Sequence, residues 1–131
     1  MPVTYLWDRE SGLIRTRCTG NVTFEEVTGH FRELESDPSL PARLDVLLDL
    51  SEMESLPESL QLKAVAKEVN RLQRKVEWGA WAIVASRDDL FDMTRVFKVF
   101  SEEYFARSRL FRELDEAERW LDSVRSTQRP E

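Results

Sequence analysis

The property that most restricts how this chain can fold is a switch between two hydrophobic periods, repeated in a fixed order. Val3 to Trp7 and Leu13 to Thr19 are short runs rich in β-branched and aromatic residues, separated by the polar, glycine-containing stretch Asp8-Arg9-Glu10-Ser11-Gly12. Two such runs around a turn read as an antiparallel β-hairpin. In the second run Arg15 and Arg17 alternate with Ile14, Thr16 and Cys18. That alternation sends the arginines to one face, toward water or a neighbour, and the other three to the opposite face. The period then changes. Phe24, Val27, Phe31 and Leu34 recur at helical spacing behind Thr23 and Glu26, which fit a capping box, and Val22 with Val27 fits the hydrophobic staple. Asp37-Pro38 and Pro41 end the run.

The same exchange recurs down the chain. Leu44 to Leu50 is almost continuously apolar, with Asp45 and Asp49 as exceptions, which is the pattern of a central strand buried on both faces. Ser55-Leu56-Pro57-Glu58 fits a second capping box, opening a helix whose buried stripe is Leu62, Val65, Val69, Leu72 and Val76. Ala80 to Ala85 reads as a fourth strand. Ser86 to Asp89 then supplies a cap and acidic residues for a helix that turns Leu90, Met93, Phe97, Phe100 and Tyr104 to the core. Arg109 to Phe111 is a short fifth strand, and Asp115 with Glu118 caps a last helix through Ala117, Leu121 and Val124. Each strand-helix-strand step needs a right-handed crossover, so strands two to five run parallel and strand one pairs antiparallel with strand two. The predicted class is α/β: a small mixed five-stranded sheet with four helices, one domain over residues 1–124 and a flexible tail over 125–131.

Composition narrows the function classes. The 131 residues are 41% hydrophobic and 34% charged, the balance of a water-soluble domain with one core. A formal net charge of -6 opposes general attraction to nucleic acid, where affinity comes from Lys and Arg releasing counterions. Cys18 is the only cysteine, so neither a disulfide framework nor a cysteine metal motif is available. No apolar run reaches the roughly 18 residues that cross a bilayer, and Met1 to Asp8 has no secretory pattern; the expected location is cytoplasmic, without membrane insertion.

No residue pattern points to catalysis, a metal or a cofactor. His30 is the only histidine, one step off the stripe of the first helix, and the topology keeps Asp49 and the serines at strand ends elsewhere. A Ser-His-Asp arrangement therefore lacks its base, and a surface or packing role is the expectation for His30. Asp49 and Asp88 stand at the carboxyl ends of parallel strands, where open α/β sheets place ligands. Capping and turn formation explain both, and no His or Cys accompanies them. The four glycines, Gly12, Gly20, Gly29 and Gly79, do not have nucleotide-fingerprint spacing.

Three surfaces remain. A strand-end edge gathers Asp49, Ser51, Ser55 and Ser59 with Ser86, Arg87 and Asp88. Its serines cluster near a helix start, where backbone N–H groups suit a phosphate, although capping already explains Ser55. Lys63, Lys67, Arg71 and Arg74 form a basic ridge opposite the apolar stripe of the second helix. A solvated face is the simplest reading; an acidic protein partner, a second subunit or an anionic lipid surface is the alternative. Phe91, Phe97, Phe100, Tyr104 and Phe105 give the third helix an apolar arc wider than one sheet contact needs, which suits a neighbouring subunit or an apolar ligand.

Gly20-Asn21-Val22-Thr23, Leu48-Asp49-Leu50-Ser51, Ala82-Ile83-Val84-Ala85, Met93 through Phe97 and Glu116-Ala117 through Trp120-Leu121 follow one another as in a STAS domain, the module of sulphate transporters and anti-sigma-factor antagonists. The chain resembles the stage II sporulation protein AA-like branch, over roughly residues 3 to 124 as a pattern. In the antagonists a Ser or Thr at the start of the helix after the third strand is phosphorylated by a partner kinase, which switches binding. The resemblance places that position at Ser59, with Pro57, Glu58 and Leu60 where the family has an acidic residue, a second hydroxyl and a glycine. It implies a non-enzymatic interaction or regulatory module whose partner, another protein or a second copy of the chain, meets the strand-end edge. The aromatic arc supports the alternative, a carrier for a small apolar or lipid-like ligand.

Overall fold

The computed structural model describes residues 3–8, 12–55 and 59–128. Strands β1 (Val3–Asp8) and β2 (Leu13–Asn21) pair antiparallel, with Val3 opposite Cys18 and Trp7 opposite Ile14. Strands β3 (Arg43–Ser55), β4 (Glu77–Val84) and β5 (Arg107–Phe111) add in turn, all parallel, giving the sheet order β1-β2-β3-β4-β5. This is the mixed sheet that the alternating periods predict.

A sheet that grows in one direction through right-handed crossovers must put every crossover helix on one face. Helices α1 (Phe24–Ser36), α2 (Ser59–Arg71) and α3 (Asp88–Ser101) accordingly share a face, while α4 (Leu114–Gln128), which follows the last strand, packs on the other. The strand pleat sorts residues between them. Ile14, Cys18, Val46, Leu50, Trp81 and Ile83 belong to the α1–α3 side; Leu13, Leu47, Ala80, Ala82 and Val84 belong to the α4 side. On that side the β1–β2 end stays open to water: Thr4, Arg15 and Arg17 are exposed, and Leu6 is 75% exposed.

Helix α1 is fastened at both ends. At its start the Thr23 hydroxyl accepts from the Glu26 N–H at 3.2 Å, and the Glu26 carboxylate accepts from the Thr23 N–H at 3.0 Å, the expected capping box. At its end the Lys75 ammonium donates to the carbonyls of Leu34, Glu35 and Asp37 at 2.7, 2.6 and 2.7 Å, taking up acceptors that a helix terminus leaves open. The Tyr5 hydroxyl donates to Asp37 at 2.9 Å and ties this end to β1.

The α4 side is built on a close approach. Leu44 pairs with Trp78 but Val46 pairs with Trp81, so Asp45 faces two residues of β4, Gly79 and Ala80. Asp45 accepts from the Ala80 N–H at 2.8 Å and from Arg125 of α4 at 3.2 Å. A Cβ on Gly79 would lie 2.1 Å from the Asp45 carboxylate, so only glycine fits there.

Several element limits differ from the sequence reading. Strand β3 runs on to Ser55, whose backbone lies opposite Asn21, and α2 is described from Ser59; the expected capping box over Ser55 to Glu58 lies outside the described residues. The cap position of α3 is Arg87, without a side-chain cap bond, not Ser86. Asp115 occupies the first turn of α4, and Glu118 pairs with Arg15 at 2.6 Å instead of capping. That helix passes the expected boundary at 124 and continues to Gln128, with Arg125 held against Asp45; residues 129–131 lie outside the described residues.

Candidate functional site

Between the sheet and helices α1–α3 the packing leaves a cavity of about 90 Å³. One wall is a cluster of rigid rings. Trp81 stacks on Phe105 with centroids 4.5 Å apart and meets Phe97 edge-on at 5.5 Å, while Trp78 lies 5.2 Å from Phe105. Such rings fix one another's orientation and cannot flow into a gap as an unbranched aliphatic chain can. Opposite them Val22, Val27 and Phe31 come from α1 and the residues leading into it, and Val65 and Val69 from α2. The lining is predominantly apolar, and comparable apolar voids of about 150 Å³ stay dry and take benzene.

The lining also includes Thr16, Cys18 and His30, and no Asp, Glu, Lys or Arg. Val3, Val27, His30, Leu48 and Phe105 of the lining are half-buried. The His30 ring meets Tyr5 edge-on at 5.4 Å and Phe31 at 5.6 Å, and its Nδ1 is buried without a hydrogen-bond partner. Burial lowers the imidazole pKa from 6.5 to about 4, so the ring is neutral at pH 7 although the residue as a whole keeps some exposure. Burial also pushes the Cys18 thiol up to about 12, helped by Asp49 and Glu26, which keeps it a neutral lining group and not a thiolate.

The expected strand-end edge is present as a place but is not one constellation. Asp49 lies within β3, not at its end, and its carboxylate accepts from the Ser51 N–H at 3.0 Å and the Ser51 hydroxyl at 2.6 Å. Asp49 is opposite Val84, which brings it near the end of β4, beyond which Ser86, Arg87 and Asp88 are exposed. Arg87 pairs with Asp89 at 3.1 Å, and Asp88 with Arg112 at 2.5 Å. The side chains of Ser55 and Ser59 lie outside the described residues. Among the described residues no group of three or more His, Cys, Asp and Glu is gathered as a metal site.

The basic ridge is divided. Lys63, Lys67 and Arg74 are exposed, whereas Arg71 is drawn toward α1 by Glu35 and is also held by Glu68 at 2.9 Å. Those two carboxylates hold the guanidinium pKa above its ordinary value. Of the aromatic arc, Phe97 and Phe105 reach the cavity. Phe105 lies beyond the end of α3, Phe100 and Tyr104 pack against the core, and Phe91 lies under Arg95 and Arg112. His30, expected in a surface or packing role, packs against Tyr5 and Phe31. The signal for packing was available, since residue 30 stands three after Val27 and four before Leu34, on the same helix face.

No family model matches the sequence, and no curated protein is significantly similar to it. Among solved structures the chain is similar to an uncharacterised protein of the DUF3478 family from Shewanella loihica PV-4, described as having a SpoIIAA-like fold. The TM-score is 0.60 at 16% sequence identity, covering 91% of each chain. Helix layering, strand order and this likeness agree: the chain has a SpoIIAA-like fold.

Proposed function

We propose that this chain is a non-enzymatic carrier that holds a small apolar molecule between its sheet and helices α1–α3. The observation that carries this reading is the cavity of about 90 Å³ lined by aromatic and branched aliphatic side chains. A void in a core forfeits dispersion contacts, and an apolar guest restores them without leaving a polar group of its own unsatisfied. Native mass spectrometry of freshly purified protein tests the reading. The expected spectrum contains a species heavier than the bare chain, whose extra mass is released on denaturation. Bare protein alone, both as purified and after incubation with n-pentane and short alcohols, would refute it.

A second reading, a STAS-like interaction module, draws support from the exposed Ser86–Asp89 corner and from the neighbouring α3 surface, where Val96 is 37% and Val99 61% exposed. Its partner would be another protein or a second copy of the chain. Substituting Val99→Asp and Arg87→Glu should abolish a complex captured through this surface while leaving any ligand in the cavity. A complex indifferent to both substitutions would have to form elsewhere.

A further inference from the structure

Strand β1 closes the sheet on one side. It pairs with β2 alone, in a continuous antiparallel register from Val3 opposite Cys18 to Asp8 opposite Leu13. An edge strand turns alternate N–H and C=O groups away from its partner, where they can bond a further strand. Among the described residues the main chain of Val3 to Trp7 bonds to nothing outside β2. The opposite edge, β5, carries the exposed Arg107 and Arg109, charged residues of the kind that keep another strand away. Strand β1 has no Lys, Arg, Pro or bulge, and its Leu6 is the most exposed large apolar side chain among the described residues.

Charge decides what such an edge accepts. Glu26, His30, Glu33 and Asp37 stand four, three and four residues apart, which sets them along one flank of α1 and its end. The contact of His30 with Tyr5 and the hydrogen bond from Tyr5 to Asp37 turn that flank toward β1. The carboxylates act on the strands beneath them: burial, Asp37 and Glu33 push the Tyr5 hydroxyl up to about 12, and Glu26 adds to the effect of burial and Asp49 on Cys18, which lies opposite Val3. Nothing on this flank is cationic at pH 7, since the imidazole is neutral and Lys75 is held on the carbonyls that end α1. On the other side of the sheet Thr4 and Leu6 are uncharged, and the neighbouring Arg15 and Arg17 are paired with Glu118 and Glu52.

We propose that the free edge of β1 accepts an extended segment of a partner protein as a sixth strand, and that this segment alternates basic with apolar residues. Successive side chains of a strand point to opposite faces, so one row of the segment meets Glu26 and Glu33 while the other lies beside Thr4 and Leu6. Main-chain bonds along the strand supply affinity, and the two rows supply the choice of sequence. A second copy of this chain fits less well, because pairing β1 with β1 about a two-fold axis would set the acidic flank against its own image. The proposal concerns a surface apart from the cavity and does not depend on the carrier reading.

The test uses the full chain and a capped heptapeptide in which lysine alternates with valine. Two analogues carry N-methyl groups on every valine or on every lysine, and a third has glutamate in place of lysine. In amide NMR the lysine peptide should shift the signals of Val3 to Trp7 and slow their exchange with solvent, leaving those of Arg107 to Phe111 unchanged. At least one N-methylated analogue should bind roughly tenfold more weakly, because alternate N–H groups of a strand face the same neighbour and methylation removes them from the ladder. The glutamate peptide should not bind, and Glu33→Lys should weaken the lysine peptide roughly fivefold. The proposal is overturned if the lysine peptide does not bind, if it binds without affecting the β1 amides, or if both methylated analogues bind as well as their parent, which would mean attraction by charge alone. Equal affinity for the glutamate peptide, or none lost in Glu33→Lys, would overturn the basic partner. Slowed exchange of the same amides on concentrating the protein alone, with a doubled mass in sedimentation, would give the edge to a second copy instead.

Discussion

The two faces of the sheet solve the same packing problem with opposite materials. Toward α4, strand β4 presents Ala80, Ala82 and Val84, and the helix answers with Ala117, each of the four at 0% exposure. Beside them the Asp45 carboxylate lies where a Cβ on Gly79 would stand, 2.1 Å from it. Toward α1–α3, the same strand presents Trp78, Trp81 and Ile83, and the facing surfaces stand off far enough to leave a cavity. One face is filled with small, fully buried side chains. The other keeps free volume, and it is the face on which a guest has something to gain.

Substitutions that treat the two faces alike should therefore give unlike results. The largest effect is expected at Asp45, which joins β3, β4 and α4. Asp45→Ala leaves Arg125 buried without its partner and the Ala80 N–H without an acceptor, and should cost about 3–5 kcal/mol in urea unfolding. Next is the acid response of the cavity face. The folded imidazole of His30 titrates near 4 and an ordinary one near 6.5, so between those values the unfolded chain binds the proton more readily. Stability should fall as pH drops through that window, by on the order of 3 kcal/mol, with no contribution from this residue above it. His30→Gln should remove that slope, and an identical pH profile in the variant would show that His30 is not its source.

A volume swap compares the faces directly. Ala82→Leu adds methylenes where none fit and should destabilise by about 1–3 kcal/mol, whereas Val65→Leu adds one beside the cavity and should change stability by less than about 1 kcal/mol. Equal costs would mean that the void offers no usable room. Smallest is Thr23→Ala at the start of α1, expected to cost about 1 kcal/mol through loss of the capping box. If it also raises the exchange rate of a bound probe, α1 is the element that moves to admit the guest.

Much of this arrangement is legible in the sequence because it follows from period and from connection rules. The hairpin, the parallel order of β2 to β5, the capping of α1 and the outward arginines Arg15 and Arg17 are local or topological. What escaped depends on three-dimensional fit. Asp45 reads as an anomaly in an apolar strand until the bulge at Gly79 and the side chain of Arg125 are beside it. Asp49 and Ser51 look like a strand-end pair, but the strand continues, and no local signal marks where a β2–β3 ribbon outlasts its neighbours. A cavity is what packing fails to fill, so no residue announces it. A single histidine on a helix reads as surface or packing, and only its neighbours Tyr5 and Phe31 decide between the two.

Methyl NMR under xenon pressure tests the contrast between the faces most directly. Xenon has no polar group and enters apolar voids without selecting for chemistry. It should shift the methyl signals of Leu50, Met53, Val65 and Val69, which line the cavity, and leave those of Leu47, Val84 and Leu121 on the α4 side where they were. Shifts of equal size on both sides, or none on either, would contradict the division of the molecule into one closely packed face and one that keeps free volume.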